Sequence, residues 1–264
     1  CIRDRQYIMK TRFIIASFVL LAFSSLGGFA QNKVSILGDS YSTFYGYVTP
    51  ETNLCWYGVP GEKKENDVKR VEETWWTLFV RSNGYQLERN NSYSGATICN
   101  TGYKKADYSD RSFVNRMSNL GNPDIILVFG GTNDSWAGAP MGEYRYGDWT
   151  KADLYNFRPA FCFLLDSLIK KYPDAKIYNI TNTELSEEVT GSMAEICRHY
   201  GITNICLHDI DKQWGHPSIQ GMKDISDQVS TYVVDKKSRP TLTSKTEKRQ
   251  NLNRLFESSK YIIC

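Results

Sequence analysis

The chain has 264 residues, 41% of them hydrophobic and 23% charged, which suits a domain with a closed core and excludes a disordered tail or a multi-span membrane protein. The net charge of +3 is unevenly spread: residues 1–30 carry four basic groups and one acidic, residues 236–264 eight and two, leaving 20 Lys/Arg against 26 Asp/Glu in residues 31–235. An acidic body speaks against a nucleic-acid partner, because phosphate binding needs clustered cations on the folded part.

Residues 1–8 read as a non-native or upstream leader. Residues 9–30 follow the secretory pattern: Met9 with Lys10 and Arg12, an apolar run from Phe13 to Phe23, then Gly28-Phe29-Ala30 before polar Gln31. The run is shorter than the ~20 residues a membrane span needs, so a cleaved signal peptide is expected, with a secreted or periplasmic protein and no stable membrane insertion after cleavage. Residues 236–264 are basic, lack apolar periodicity and are expected to be a disordered tail.

Residues 31–235 are expected to form one domain in which short apolar strands alternate with amphipathic helices. Strands are predicted at Val34–Leu37, Gln86–Asn91, Asp124–Phe129, Ala175–Ile180 and Thr203–Leu207. Helices are predicted over 69–82, 151–172, 186–200 and 219–234. Asp124–Phe129 is continuously apolar and closed by Gly130-Gly131, as a strand buried on both faces is. Strands spaced by helices imply right-handed crossovers, a parallel sheet covered on both sides, and ligands at the carboxyl ends of the strands.

Among the cysteines of this body, Cys162, Cys197 and Cys206 fall in helix or strand patterns and read as buried free thiols, while Cys55 and Cys99 fall in loops and are able to pair. None shows CxxC or CxxH spacing, so no metal site is expected.

The polar motifs cluster where strands end. Gly38-Asp39-Ser40-Tyr41-Ser42 follows the first strand and presents a Ser hydroxyl at a helix start, although Asp and Ser are also ordinary capping residues. Asn91-Ser92-Tyr93-Ser94-Gly95-Ala96 follows the second, where Gly95 can offer an unhindered N–H. Gly130-Gly131-Thr132-Asn133-Asp134 follows the third, and Asn133 can project an amide N–H₂ into the same crevice. His216-Pro217-Ser218 precedes the last helix, and His216 is one of only three His in the chain.

In this order the four blocks resemble the SGNH (GDSL-type) hydrolases across most of residues 33–234. The resemblance implies a three-layer α/β/α sandwich with a five-stranded parallel sheet (flavodoxin-like), no cofactor, and hydrolysis of acyl esters, often acetyl groups on sugars. It implies Ser40 as nucleophile, the Ser40 and Gly95 N–H groups with Asn133 as oxyanion donors, and His216 as general base. One position departs from the pattern. The family places an Asp three residues before the base, where this chain has Gln213. Asp211 or Asp209 could supply the acid by a different loop path, or a backbone carbonyl could hold the ring, and the inserted Trp214-Gly215 permits either.

The aromatic residues Tyr41, Tyr45, Tyr47, Trp56, Tyr57 and Trp136 flank these motifs, and Tyr41 and Trp136 are the candidate substrate contacts, since aromatic faces stack on sugar rings. The expected partner is an acylated small molecule or glycan. A non-catalytic carbohydrate-binding module on the same fold, or a lipase or thioesterase, are the competing readings. A flavodoxin-like nucleotide binder is disfavoured because residues 38–42 lack a phosphate-cradling glycine pattern.

Overall fold

The apolar run Lys33–Gly38 is strand β1, and Ile125–Phe129, buried along its whole length, is β3 at its side. The computed structural model describes residues 31–62 and 65–233; the leader, signal peptide and disordered tail expected at residues 1–30 and 236–264 lie outside them. With β2 (Gln86–Ser92), β4 (Lys176–Thr181) and β5 (Thr203–Cys206) they build a parallel five-stranded sheet of order β2-β1-β3-β4-β5. The polar strand β2 and short β5 take the edges, while continuously apolar β3 takes the centre, where both faces are covered.

Helices α1 (Trp75–Ser82) and α6 (Ile219–Tyr232) cover one face, where Trp75, Phe79, Met222 and Ile225 meet Val34, Ile36, Leu127 and Phe129. On the other face α2 (Phe113–Arg116), α4 (Phe157–Lys171) and α5 (Glu187–Tyr200) bring Phe113, Phe161, Leu165 and Met193 onto Leu37, Ile126 and Val128. The alternation of β1 and β3 side chains between the two cores is the period-two pattern of a strand. This is the expected three-layer sandwich.

Helix α5 shows why the boundaries were readable. Ser186 caps it by accepting from Val189 N–H, Glu187 and Glu188 sit at its positive end, and Gly201 closes it in the left-handed conformation. Two helices start later than predicted. The segment expected from 69 opens as a 3-10 turn, Val71–Glu73, and turns helical only at Trp75, because Thr74 is extended. The segment expected from 151 opens with the 3-10 turn Asp153–Tyr155, and α4 starts at Phe157 with Pro159 in its first turn, where its missing N–H costs nothing. A further short helix, α3 (Thr132–Ala137), grows directly from Gly131.

Cys99, Cys162 and Cys197 are free thiols, so the loop pair Cys55 and Cys99 is not joined. Cys206, expected as a free thiol, is instead disulfide-bonded; it ends the edge strand β5 and is only half-buried.

Candidate active site

Gly38 pairs with Ser92 on one side and Phe129 on the other, so the segments following β1, β2 and β3 leave the sheet side by side at its carboxyl end. Ser40 opens a 3-10 turn, Ser40–Ser42, capped by Asp39, whose carboxylate accepts from Tyr41 N–H at 3.0 Å. As the first residue of that turn, Ser40 has no acceptor within it for its own N–H.

His216 arrives on a hairpin. Strand β6 (Lys212–Gln213) pairs antiparallel with β7 (His216–Pro217), and the connecting Trp214 and Gly215 both have positive φ, 55° and 71°. Positive φ at both loop positions is the signature of the tight turns whose twist suits a two-residue hairpin. Glycine adopts it freely, whereas a bulky Trp does so only under strain, and such strain concentrates at functional sites. The hairpin is held from beneath: Tyr41 Oη donates to Gly215 O at 2.6 Å, and Tyr57 Oη and Asn66 Nδ2 donate to Pro217 O at 2.9 and 3.1 Å.

The consequence is a hydrogen-bonded pair, with His216 Nε2 lying 2.9 Å from Ser40 Oγ. On the other side of the ring, Nδ1 lies 3.2 Å from the carbonyl oxygen of Trp214. A carbonyl only accepts, so Nδ1 carries the hydrogen and Nε2 is left as the acceptor for the serine hydroxyl. No hydrogen bond joins Asp211 to the imidazole. Its carboxylate accepts from Ser218 Oγ, and its backbone oxygen from Ser218 N–H, so it braces the N-cap of α6. Asp209 is exposed and pairs with His208. Gln213 turns outward, its Oε1 accepting from Asp67 N–H at 2.9 Å.

Gly95 has φ +82°, a conformation that favours glycine, and its N–H donates to no other described residue. Asn133, in the first turn of α3, donates one amide hydrogen to Ala96 O at 3.0 Å and accepts from Tyr103 Oη at 2.9 Å. These two bonds fix which end of the amide is nitrogen and leave its second N–H for a ligand. Asp134 ties the same two segments together by accepting from Ile98 and Cys99 N–H at 2.8 and 3.2 Å. Burial pushes its carboxyl up to about 6 even so. Tyr103 carried no sequence signal, because it comes from a separate loop; Asp134 adjoins Asn133 in its motif.

Behind the serine, burial raises the Asp39 carboxyl to about 7, against the pull of Tyr41 N–H and the nearby Arg116 charge. Burial likewise lowers the Arg116 guanidinium to about 9; it donates to Asn91 O, Gly38 O and Arg111 O and so locks the β1 and β2 ends together.

Of the two candidate substrate contacts, Tyr41 is fully buried beneath the hairpin, where no substrate reaches it. Trp136 is 45% exposed and stands edge-on to His216, with ring centroids 6.3 Å apart. Trp56 lies flat on the imidazole, centroids 3.6 Å apart and planes 7° from parallel.

The sequence profile of the GDSL-like lipase/acylhydrolases matches residues 32–233. The chain belongs to that family. Membership makes this GDSL-like protein an ester-bond hydrolase. It is similar to a crystal structure from Bacteroides uniformis assigned to the GDSL-like lipases, at 76% identity over 77% of this chain and 95% of that one, TM-score 0.76. A second GDSL-like structure, from Bacteroides ovatus, is 56% identical over 77% and 98% of the two chains, TM-score 0.75. A family two carbohydrate esterase from Clostridium thermocellum, in complex with cellohexaose, shares the fold at 17% identity, TM-score 0.54, over 77% of this chain and 64% of that one. No curated protein sequence matches the chain.

Proposed function

We propose that this GDSL-like hydrolase is an exported serine esterase that removes acyl groups, acetyl foremost, from carbohydrates through a covalent acyl-enzyme. The observation that carries the chemistry is the 2.9 Å bond between Ser40 Oγ and His216 Nε2 at the carboxyl end of the sheet. His216 takes the serine proton as Ser40 Oγ attacks the ester carbonyl carbon. The oxyanion is received by the Ser40 and Gly95 N–H groups and the unspent amide hydrogen of Asn133. His216 then gives its proton to the departing alcohol, leaving acyl-Ser40. A water, deprotonated by the same imidazole, attacks the acyl carbon; the acyl–Oγ bond then breaks, His216 returns the proton to Ser40 Oγ, and the acid is released. Each oxyanion donor is worth about 3 kcal/mol in the transition state.

The Trp214 carbonyl takes the orienting role that an Asp fills in a triad. It fixes the tautomer and supplies a dipole in place of a full negative charge.

Support for a sugar substrate comes from the rim. Trp136, packed near Gly215, and Trp214, next to it in the chain, are 45% and 71% exposed, and indole faces stack on sugar rings. Export is supported by the charged and apolar pattern of residues 9–30. The test is a substrate panel: p-nitrophenyl acetate, acetylated glycans and long-chain esters. Highest kcat/KM on acetylated glycans is expected. A preference for long acyl chains would replace the substrate, and no hydrolysis of any ester would leave a binding module.

A further inference from the structure

We propose that Trp56 is a positioning residue for hydrolysis, its indole face keeping the His216 imidazole in plane and stabilising that ring while it carries the serine proton. The proposal rests on the Ser40–His216 reading above.

Geometry is the first ground. The two rings are 3.6 Å apart at their centroids and 7° from parallel, so the whole imidazole sits over the indole π face. Tyr41, Tyr57 and Trp136 also surround His216, but cross it at 54°, 78° and 73°, so none of them lies flat against it. An aromatic face attracts a cation, Trp most strongly. Both halves of the reaction pass through a protonated imidazole, and the group on Nδ1 is a carbonyl, which has no net charge to offset that proton.

Anchoring is the second ground. The backbone N–H of Trp56 donates to Thr43 Oγ1 at 2.8 Å, and Thr43 Oγ1 donates to Ser40 O at 3.0 Å. The next residue, Tyr57, reaches Pro217 O through its hydroxyl. The main chain that carries the indole is therefore fixed to the nucleophile's turn on one side and, through the next residue, to the histidine's strand on the other. A side chain on so anchored a backbone, with one face already covered by the imidazole, is placed to hold that ring rather than to follow a ligand.

Other ionisable groups lie on the elements packed around this ring, Tyr41 and Tyr57 against it. Tyr41 and Asp39 lie on the serine turn. Tyr57 and Asp67 lie on the 53–68 segment, Asp67 accepting from Ile219 N–H. Lys212, whose ammonium is 5.9 Å from the Tyr41 ring and pairs with Glu184, and Asp211 on Ser218 lie on the hairpin side. Replacing Trp56 leaves all of these in place, so a change in His216 titration reports the lost indole face.

The experiment compares full-length wild type, Trp56→Phe and Trp56→Leu. Losing the face from one side of a charged ring should lower kcat about tenfold in Trp56→Leu, with KM within about twofold, and Trp56→Phe should fall between. The pH profile supplies the reading a purely structural role would not move. A stabilised imidazolium has a raised pKa, so removing the indole should shift the acid limb of kcat/KM to lower pH by about half a unit to one unit. NMR titration of the His216 ring, one of only three His in the chain, reads the same shift without turnover. An unmoved or upward-moving His216 titration in folded Trp56→Leu overturns the proposal, as does a loss confined to KM. Ser40→Ala, run alongside, separates the two readings: full activity there removes the Ser–His mechanism, whatever the NMR shift in the Trp56 variants.

Discussion

The carbonyl oxygen of Trp214 stands 3.2 Å from Nδ1 of His216, in the position where a hydrolase of this type ordinarily presents a carboxylate. The hairpin makes this possible. Two positive-φ residues between Gln213 and His216 turn the chain tightly, and that turn brings a main-chain acceptor beneath the imidazole.

The Asp211→Asn variant should therefore lose less than about tenfold in kcat, whereas losing a true triad acid costs on the order of 10⁴ in a well-studied serine protease. Its effect should fall on stability instead, because the carboxylate accepts from Ser218 at the N-cap of α6. Steady-state kinetics beside a thermal melt check both. Gln213→Asp should leave the rate essentially unchanged, since residue 213 is directed toward Asp67.

Asn133→Ala should lower kcat by roughly 10²–10³ with a smaller change in KM, because the amide acts on the transition state more than on bound substrate. Tyr103→Phe removes only the bond that holds the Asn133 carbonyl end, and should cost about tenfold or less in the same assay. A loss confined to KM in Asn133→Ala would move that residue from the oxyanion to the substrate.

Asp39 should make stability fall with rising pH. Its carboxyl ionises near 3.8 in an open chain and near 7 in the fold, so between those values the folded state holds a proton that the unfolded state has lost. The proton's stabilising effect is full below about pH 4 and gone above pH 7. Asp39→Asn keeps an acceptor for Tyr41 N–H without the ionisation. It should raise Tm relative to wild type at pH 8 and bring little gain at pH 4, as calorimetry at the two values would show.

The sheet and the four motif residues were legible for one physical reason. Ser40, Gly95 and Asn133 follow the first three strands, and a parallel sheet delivers whatever follows its strands to one end, where His216 arrives on its own hairpin. The sequence pattern places helix starts at 69 and 151, ahead of the observed Trp75 and Phe157, because 3-10 turns carry the same local preferences as a first helical turn. The long loop from Phe44 to Val68 has no periodicity to read. In the sequence Trp56 is one aromatic among several, able to stack on a sugar; its place against His216 depends on Thr43 and Tyr57, contacts that exist only in the folded chain. Tyr41 suffered the reverse. Its neighbourhood to Ser40 suggested a substrate contact, and the turn that exposes the serine hydroxyl sends the tyrosine under the hairpin. The sequence does not decide between a displaced Asp and a carbonyl, because both depend on the path of a two-residue turn whose Trp adopts a conformation that bulky residues rarely take.

The most direct measurement is intact-protein mass spectrometry after treatment with a small fluorophosphonate, followed by peptide mapping. A serine activated by His216 should take one phosphonyl group on Ser40, with fluoride leaving, and labelling should be lost in Ser40→Ala and strongly slowed in His216→Asn. Asp211→Asn should label at nearly the wild-type rate. Labelling that persists in Ser40→Ala, or that maps to another residue, would contradict a nucleophilic Ser40 held ready by an imidazole on the Trp214 carbonyl.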